Sequence, residues 1–339
     1  MSALSVSAPG KLVLLGEYAV LDGAPALVAA VSARARVTLR PSDQFQIRSS
    51  LLDTALDFVL EGGAVRWRNA AAAPAAAPAV AEWLGKLIAA NAPAQHAAGF
   101  IAELDTGDFF QQGSKFGLGS SSALAVAFNA ALQRHWHNAT VSDAFATHRL
   151  LQGGRGSGVD VAAAVQGGLL GFSRGQSADQ PPRIEALQWP DSLALTVVFV
   201  GHSSSTVDAI GRYREWQQRA PSDWQAHHDR LREIAVNGKT SVKSGDCAGL
   251  MQALNEYGRA LHAMGQSAGI DIVSQAHQRV GKHVSAFGPA VYKPSGAGGG
   301  DVGIAVSHAQ DAVALRAHLR AQGVTVLDLS IDDKGLEIG

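Results

Sequence analysis

The sequence predicts an α+β fold, in which strands and helices follow one another in mixed order rather than in a regular βαβ array. Three observations carry this. Short apolar or alternating runs read as strands, two glycine-rich loops each lead into a helix of small residues, and residues 207–266 are helix-patterned between strand-like segments. Near the start, Leu12 to Leu15 suits a buried strand and Asp22-Gly23 a turn, after which Ala35, Val37 and Leu39 alternate with Arg36, Thr38 and Arg40. Pro74 and Pro78 prevent one continuous helix from Ala70, so a helix is expected from near Ala79. One or two strands over 100–110 lead to "GLGSSSALAVAFNAAL" at Gly117, and a second glycine loop precedes a helix beginning near Val159. "SLALTVVFVG" opens the second half as a buried strand. "AVYKPSGAGGGDVGIAV" reads as strand, glycine turn and strand, followed by a helix near 309–322 and a last strand "VTVLDLSI".

A chain of 339 residues, 47% of them hydrophobic, is long enough for one large or two ordinary cores. Lysine and arginine number 28 against 29 acidic residues, so net charge gives no reason to expect nucleic acid or an anionic membrane as partner. The single cysteine, Cys247, excludes an intramolecular disulfide and a cysteine-only zinc cluster, and favours a reducing compartment. The amino terminus shows no basic leader, Lys11 and Glu17 interrupt its apolar run, and no run is long enough to span a bilayer. A cytoplasmic monomer or homodimer is expected. His227-His228 does not read as a metal site, because adjacent residues do not share a helix face.

The loop at Gly117 is the first feature that points to chemistry. A helix start leaves backbone N–H groups unpaired and carries roughly half a positive elementary charge. Glycines let that backbone approach a phosphate, and serine hydroxyls add donors or a magnesium ligand; serine capping with close backbone packing accounts for the same residues structurally. Two familiar phosphate loops fail on counting. "NGKT" at 237–240 has Glu233 where a Walker loop requires glycine, and Ser122 stands where a dinucleotide fingerprint starting at Gly117 requires glycine or alanine.

Three segments in order, "SAPGKLVLLGEYAVLDG", "SKFGLGSSSALAVA" and "YKPSGAGGGDVGIAV", together resemble the three motifs of the GHMP small-molecule kinases, from Ala8 to Val306. The resemblance implies a two-domain GHMP kinase fold, with a nucleotide-binding domain over 1–188 and a ferredoxin-like carboxy-terminal domain over 189–339. It also implies transfer of a phosphoryl group from ATP with Mg2+. Lys115, Gly117, Leu118, Gly119, Ser120, Ser121 and Ser122 would then wrap the nucleotide phosphates, and Ser121 would contact the metal with Ser120 nearby.

"HRLLQGGRGSGVDVAAAVQGG" further resembles the phosphomevalonate kinase branch of that family, as does Asp301 after the glycines of the third motif. Mevalonate kinases usually carry a glutamate eleven residues before the matching aspartate, where this chain has Arg149, and an Asn-Pro-Ser-Gly turn, which here reads Gly-Arg-Gly-Ser-Gly. The acceptor implied is a phosphorylated small molecule, 5-phosphomevalonate. Mevalonate itself is the alternative, and a nucleotide- or metabolite-sensing protein on the same fold is a third reading. Arg149 or Arg155 suits a phosphorylated substrate, and equally a solvated surface.

Within the resemblance, Asp160 is the candidate base or hydroxyl orienter, although its position also suits a helix cap. Lys11 would stabilise anionic oxygens and keep Asp160 ionised. Acceptor contacts are expected from Glu17, Tyr18, Ser157, Gly158, Ser295, Gly296, Ala297 and Gly298, with packing an open role for Glu17 and Tyr18. Ser205 and Arg212 are candidates from the second half.

Overall fold

The structure, a computed structural model, describes residues 3–50, 52, 54–68, 77–93, 97–111, 113–137, 156–175, 180–201 and 206–339. Its first unit is built on strands β1 (Leu4–Leu15), β2 (Ala26–Pro41), β3 (Phe45–Ser49), β4 (Leu56–Glu61), β5 (Ala64–Trp67) and β6 (Phe100–Asp105). A short hairpin, β7 (Phe110–Gln111) and β8 (Ser114–Lys115), leads to Gly117, and β9 (Leu169–Ser173) and β10 (Arg183–Leu187) complete the unit's own strands. The sheet runs in the order β10-β9-β2-β6-β3-β4-β5, with β1 antiparallel to β2. Ala35, Val37 and Leu39 enter the core while Arg36 and Arg40 are exposed, so the alternation in the sequence is the alternation of the pleat.

Among the described residues, three α-helices belong to this unit: α1 (Ala77–Asn91), α2 (Ser120–His137) and α3 (Val159–Gln166). Helix α2 is buried continuously from Ser122 to Leu132 and packs on β1 and β2, which explains why its sequence is apolar around most of its circumference. Helix α3 packs against β1, β2 and α2. Both helices therefore approach the middle of β1.

The second unit follows the order β11 (Leu193–Phe199), α4 (Thr206–Arg219), α5 (Pro221–Ser244), α6 (Cys247–Ala268), α7 (Gln275–Phe287), β12 (Ala290–Pro294), β13 (Val302–His308), α8 (Ala312–Ala321) and β14 (Thr325–Leu327). Its antiparallel sheet has the order β12-β13-β11-β14, the arrangement of a ferredoxin-like βαββαβ unit with extra helices after its first strand. Pro221 opens α5, and the Asp246 carboxylate caps α6 by accepting from the Gly249 N–H at 2.9 Å. No helix among the described residues is long and apolar enough to cross a membrane.

The end of the chain departs from the expected final strand. "VTVLDLSI" alternates, but only Thr325 to Leu327 pair with β11; the chain then returns to the first unit. There Asp332 exchanges backbone bonds with Ala30 and Gly168, Leu336 donates to Val165, and β15 (Glu337–Ile338) pairs with β1. Alternation specifies a strand but not its partner, and Arg34 decides the partner here. Buried in the first unit, its guanidinium donates to Asp332 Oδ2 at 2.5 Å, to the Gly335 carbonyl at 2.6 Å and to the Ser7 carbonyl at 3.1 Å. Replacing Arg34 by alanine leaves the largely buried Asp332 side chain without its guanidinium partner and should lower unfolding free energy by roughly 2–3 kcal/mol, read as a fall in the urea midpoint. An unchanged midpoint would show that the return is held by backbone pairing alone.

Candidate active site

Residue 10 sets the geometry of the site. A side chain at Gly10 would meet the ring of Phe109 and the Leu118 carbonyl at 2.6–2.7 Å, so only glycine lets the loop at 117–118 lie on β1. The next residue, Lys11, then donates its backbone N–H to the Leu118 carbonyl at 2.8 Å, and its Nζ lies 3.4 Å from the Gly117 carbonyl. The three serines of the loop form the first turn of α2 rather than a cap preceding it, since the N–H groups of Ser122 and Ala123 both bond to the Gly119 carbonyl. A helix's first N–H groups have no partner within the helix, so this helix start with the exposed Ser121 suits an anion.

Lys11 and Asp160 flank Gly119: an atom added there would lie 3.2 Å from Lys11 Cγ and 3.8 Å from Asp160 Cβ. Asp160 lies in the first turn of α3, behind Gly158 in the left-handed region. One carboxylate oxygen accepts from the Val161 N–H at 3.1 Å, and the other accepts a short hydrogen bond from the Ser122 hydroxyl. The side chain is thus held by its own helix and by α2, with its carboxylate beside Lys11. Burial lowers the Lys11 ammonium below the ordinary lysine value, against the opposing attraction of Asp160, Asp301 and Glu17.

The second unit supplies the remaining wall. Asp301, itself at φ 61° and buried, packs its carboxylate onto Gly117, and no Cβ at that glycine would fit. Gly296 faces Lys11, because an atom added there would stand 3.6 Å from Nζ. The Tyr18 hydroxyl donates to the Ala297 carbonyl at 2.5 Å, and the Tyr18 ring packs on Tyr213 of α4. Between the two units lies a cavity of about 150 Å³. Lys11, Glu17, Tyr18, Ser157, Asp160, Gly296 and Ala297 form its polar part, and Val13, Val20, Leu21 and Ile210 its apolar part.

A second cavity, of about 270 Å³, opens on the other side of the α2 start. Trp83, Leu84 and Leu104 make it apolar, while Ser120, Ser121 and Thr106 present hydroxyls. Thr106 Oγ1 is buried and has no hydrogen-bond partner among the described residues. A planar apolar group with polar edge atoms fits these walls.

The residues predicted from sequence for the loop and for catalysis therefore converge. Lys115, half-buried on β8, lies close enough to Lys11 to disfavour its charge, and Leu118 is wholly buried. Ser157 accepts from the Val159 N–H at 3.4 Å beside the cavity. Ser295 takes a different place from its neighbours: its buried hydroxyl donates to the Val13 carbonyl at 2.9 Å and accepts from the Val13 N–H at 3.0 Å, a bridge between units. Gly298 packs against Ile272, and Arg212 is exposed. Gln152, Gly153, Arg149, Arg155 and Ser205 lie outside the described residues. Sequence reasoning missed Lys293, whose ammonium bonds Glu17 out of contact with water, and the apolar cavity, whose walls come from separate segments. No cluster of three or more histidine, cysteine, aspartate or glutamate side chains among the described residues could hold a metal alone. Mg2+ differs from such metals in binding largely through phosphate oxygens and water, so the exposed Ser121 hydroxyl could serve it as a single protein ligand.

The chain is similar to known proteins over most of its length. Residues 113–168 match the model of the GHMP kinases N-terminal domain. The chain is 28% identical to a phosphomevalonate kinase of Streptomyces sp. (strain CL190) over 95% of this chain and 96% of that one. It is 29% identical to a mevalonate kinase of Archaeoglobus fulgidus over 87% and 89% of the two chains. Among solved structures, Streptococcus pneumoniae phosphomevalonate kinase in complex with phosphomevalonate and AMPPNP superposes with a TM-score of 0.77 at 22% identity, covering 98% of this chain and all of that one. Gly117→Ala introduces a side chain at φ 72°, a strain of about 1–2 kcal/mol before its overlap with Asp301 is counted. Affinity for an ATP analogue, measured by calorimetry, should fall at least about tenfold; unchanged affinity would remove this loop from the nucleotide site.

Proposed function

We propose that this chain, a member of the GHMP kinase family, transfers the γ-phosphoryl group of ATP to the phosphate of 5-phosphomevalonate, giving 5-diphosphomevalonate and ADP. One observation carries the reading of a kinase: the helix start suited to phosphates and the small cavity share Lys11 and Asp160, so donor and acceptor meet over the same two side chains. The choice of acceptor rests on the likeness to the Streptomyces phosphomevalonate kinase over nearly the whole chain. The Archaeoglobus relative keeps mevalonate as the second reading.

In this reading the adenine lies in the apolar cavity, against Trp83 and Leu104, and the phosphates lie along Gly117 to Ser122. The Ser121 hydroxyl, together with phosphate oxygens, would hold Mg2+, which would supply charge neutralisation on the transferring group. An acceptor phosphate oxygen forms the new bond to the γ-phosphorus as the bond from that phosphorus to the β,γ-bridging oxygen breaks, and ADP takes the electron pair. A phosphate oxygen is already largely deprotonated near neutral pH, so Asp160, fixed by Ser122 and Val161, orients rather than abstracts. Lys11 offsets the negative charge of two crowded phosphates.

Purified protein assayed with phosphomevalonate and with mevalonate should form ADP far faster with the first; preference for mevalonate would overturn the acceptor assignment and make Asp160 a base. Because Lys11 acts as a cation and burial lowers it, activity is lost as pH rises through a value below that of an ordinary lysine. The pH profile of kcat should show this alkaline limb, and Lys11→Met should abolish it along with most of the rate. A limb that persists in Lys11→Met belongs to another group.

A further inference from the structure

The Glu17–Lys293 ion pair is buried as completely as any pair of charges in the described structure, each side chain being 1% exposed. Glu17 follows β1 in the first unit, and Lys293 lies on β12 in the second. Taking two such charges out of water is costly, and apolar residues of the same volume commonly pack as well or better. Stability is therefore a poor reason for this pair to be here. Burial pushes Glu17 up and Lys293 down, each opposed by its partner.

What the pair does provide is a fixed register between the units. Lys293 Nζ donates to Glu17 Oε1, to the Pro294 carbonyl at 2.6 Å and to the Val13 carbonyl at 3.5 Å. Ser295 adds its two bonds to Val13, and Tyr257 of α6 donates to the Glu17 carbonyl at 2.9 Å. Residues 293–295 are thereby tied to residues 13–17. Lys11 lies two residues before this tie on the first segment, and Gly296 and Ala297 follow it directly on the second.

We infer that Glu17 and Lys293 form a positioning pair for phosphoryl transfer: by fixing the second unit's glycine loop to β1, they set the distance between Lys11 and an acceptor held at Gly296 and Ala297. This rests on the kinase reading above. It assigns Glu17 to geometry and gives a function to Lys293, which touches neither substrate.

Two variants test it. Glu17→Asp keeps both charges but withdraws the carboxylate, and the double variant Glu17→Gln/Lys293→Met removes both charges at nearly constant volume. Each is compared with the unmodified enzyme, using whichever acceptor the unmodified enzyme phosphorylates; absence of turnover with phosphomevalonate counts against the function proposed above and not against this pair. Misplacement by about 1 Å costs on the order of 100-fold in rate, so kcat should fall between about 10- and 100-fold. The KM for ATP, bound on the far side of Lys11, should stay within about twofold, and thermal melting should remain cooperative. A folded variant of either kind that keeps kcat overturns the inference. Loss of folding in both would assign the pair to stability and overturn it equally.

Discussion

The site depends on one backbone contact, the hydrogen bond from the Lys11 N–H to the Leu118 carbonyl across the side-chain-free surface of Gly10. It brings the start of α2 against the middle of β1. From that contact follow the placement of Lys11 beside Gly117, the position of Gly119 between Lys11 and Asp160, and the bond that Ser122 makes to Asp160. A larger residue at position 10 would push the loop away and separate all of these at once. The apolar half of α2 serves the same contact, because its burial between β1, β2 and α1 fixes the helix axis that the loop enters.

Around this centre the charges alternate. Lys293, Glu17, Lys11 and then Asp160 with Asp301 form an array that crosses from the second unit into the first and back. Both lysines are lowered by burial and held up by their acidic neighbours, so neither ammonium's charge is set by its own residue alone. The returning end of the chain adds a second tie between the units on the opposite side, where Arg34 binds Asp332 and Leu336 meets the last turn of α3. Helix α3, which carries Asp160 at its start, is thus anchored at both ends.

Much of this was legible in the residues. The alternation at 35–40, the glycine-to-helix transitions at 117 and 158, and the strand-turn-strand at 290–306 are local signals, and the structure repeats them. The motif resemblance then brought Lys11, Asp160, Tyr18 and the third loop together before any coordinate. Ser295 was legible as a motif member but not as a bridge to Val13, because a hydroxyl's partner 282 residues away leaves no local pattern. Lys293 reads as an ordinary strand lysine, and only the surrounding Glu17, Val13 and Tyr257 make it a buried ion.

The sequence by itself determined the α+β class, the glycine loops that lead into helices, and the family likeness that carries the ferredoxin-like expectation for the second unit, since these are properties of local pattern and motif. The tertiary structure decided which strand the last residues join, which hydroxyl faces Asp160, where the apolar cavity opens, and which charges are buried together. These depend on groups from distant segments meeting in space and losing water, and neither hydration nor long-range contact is written in local spacing.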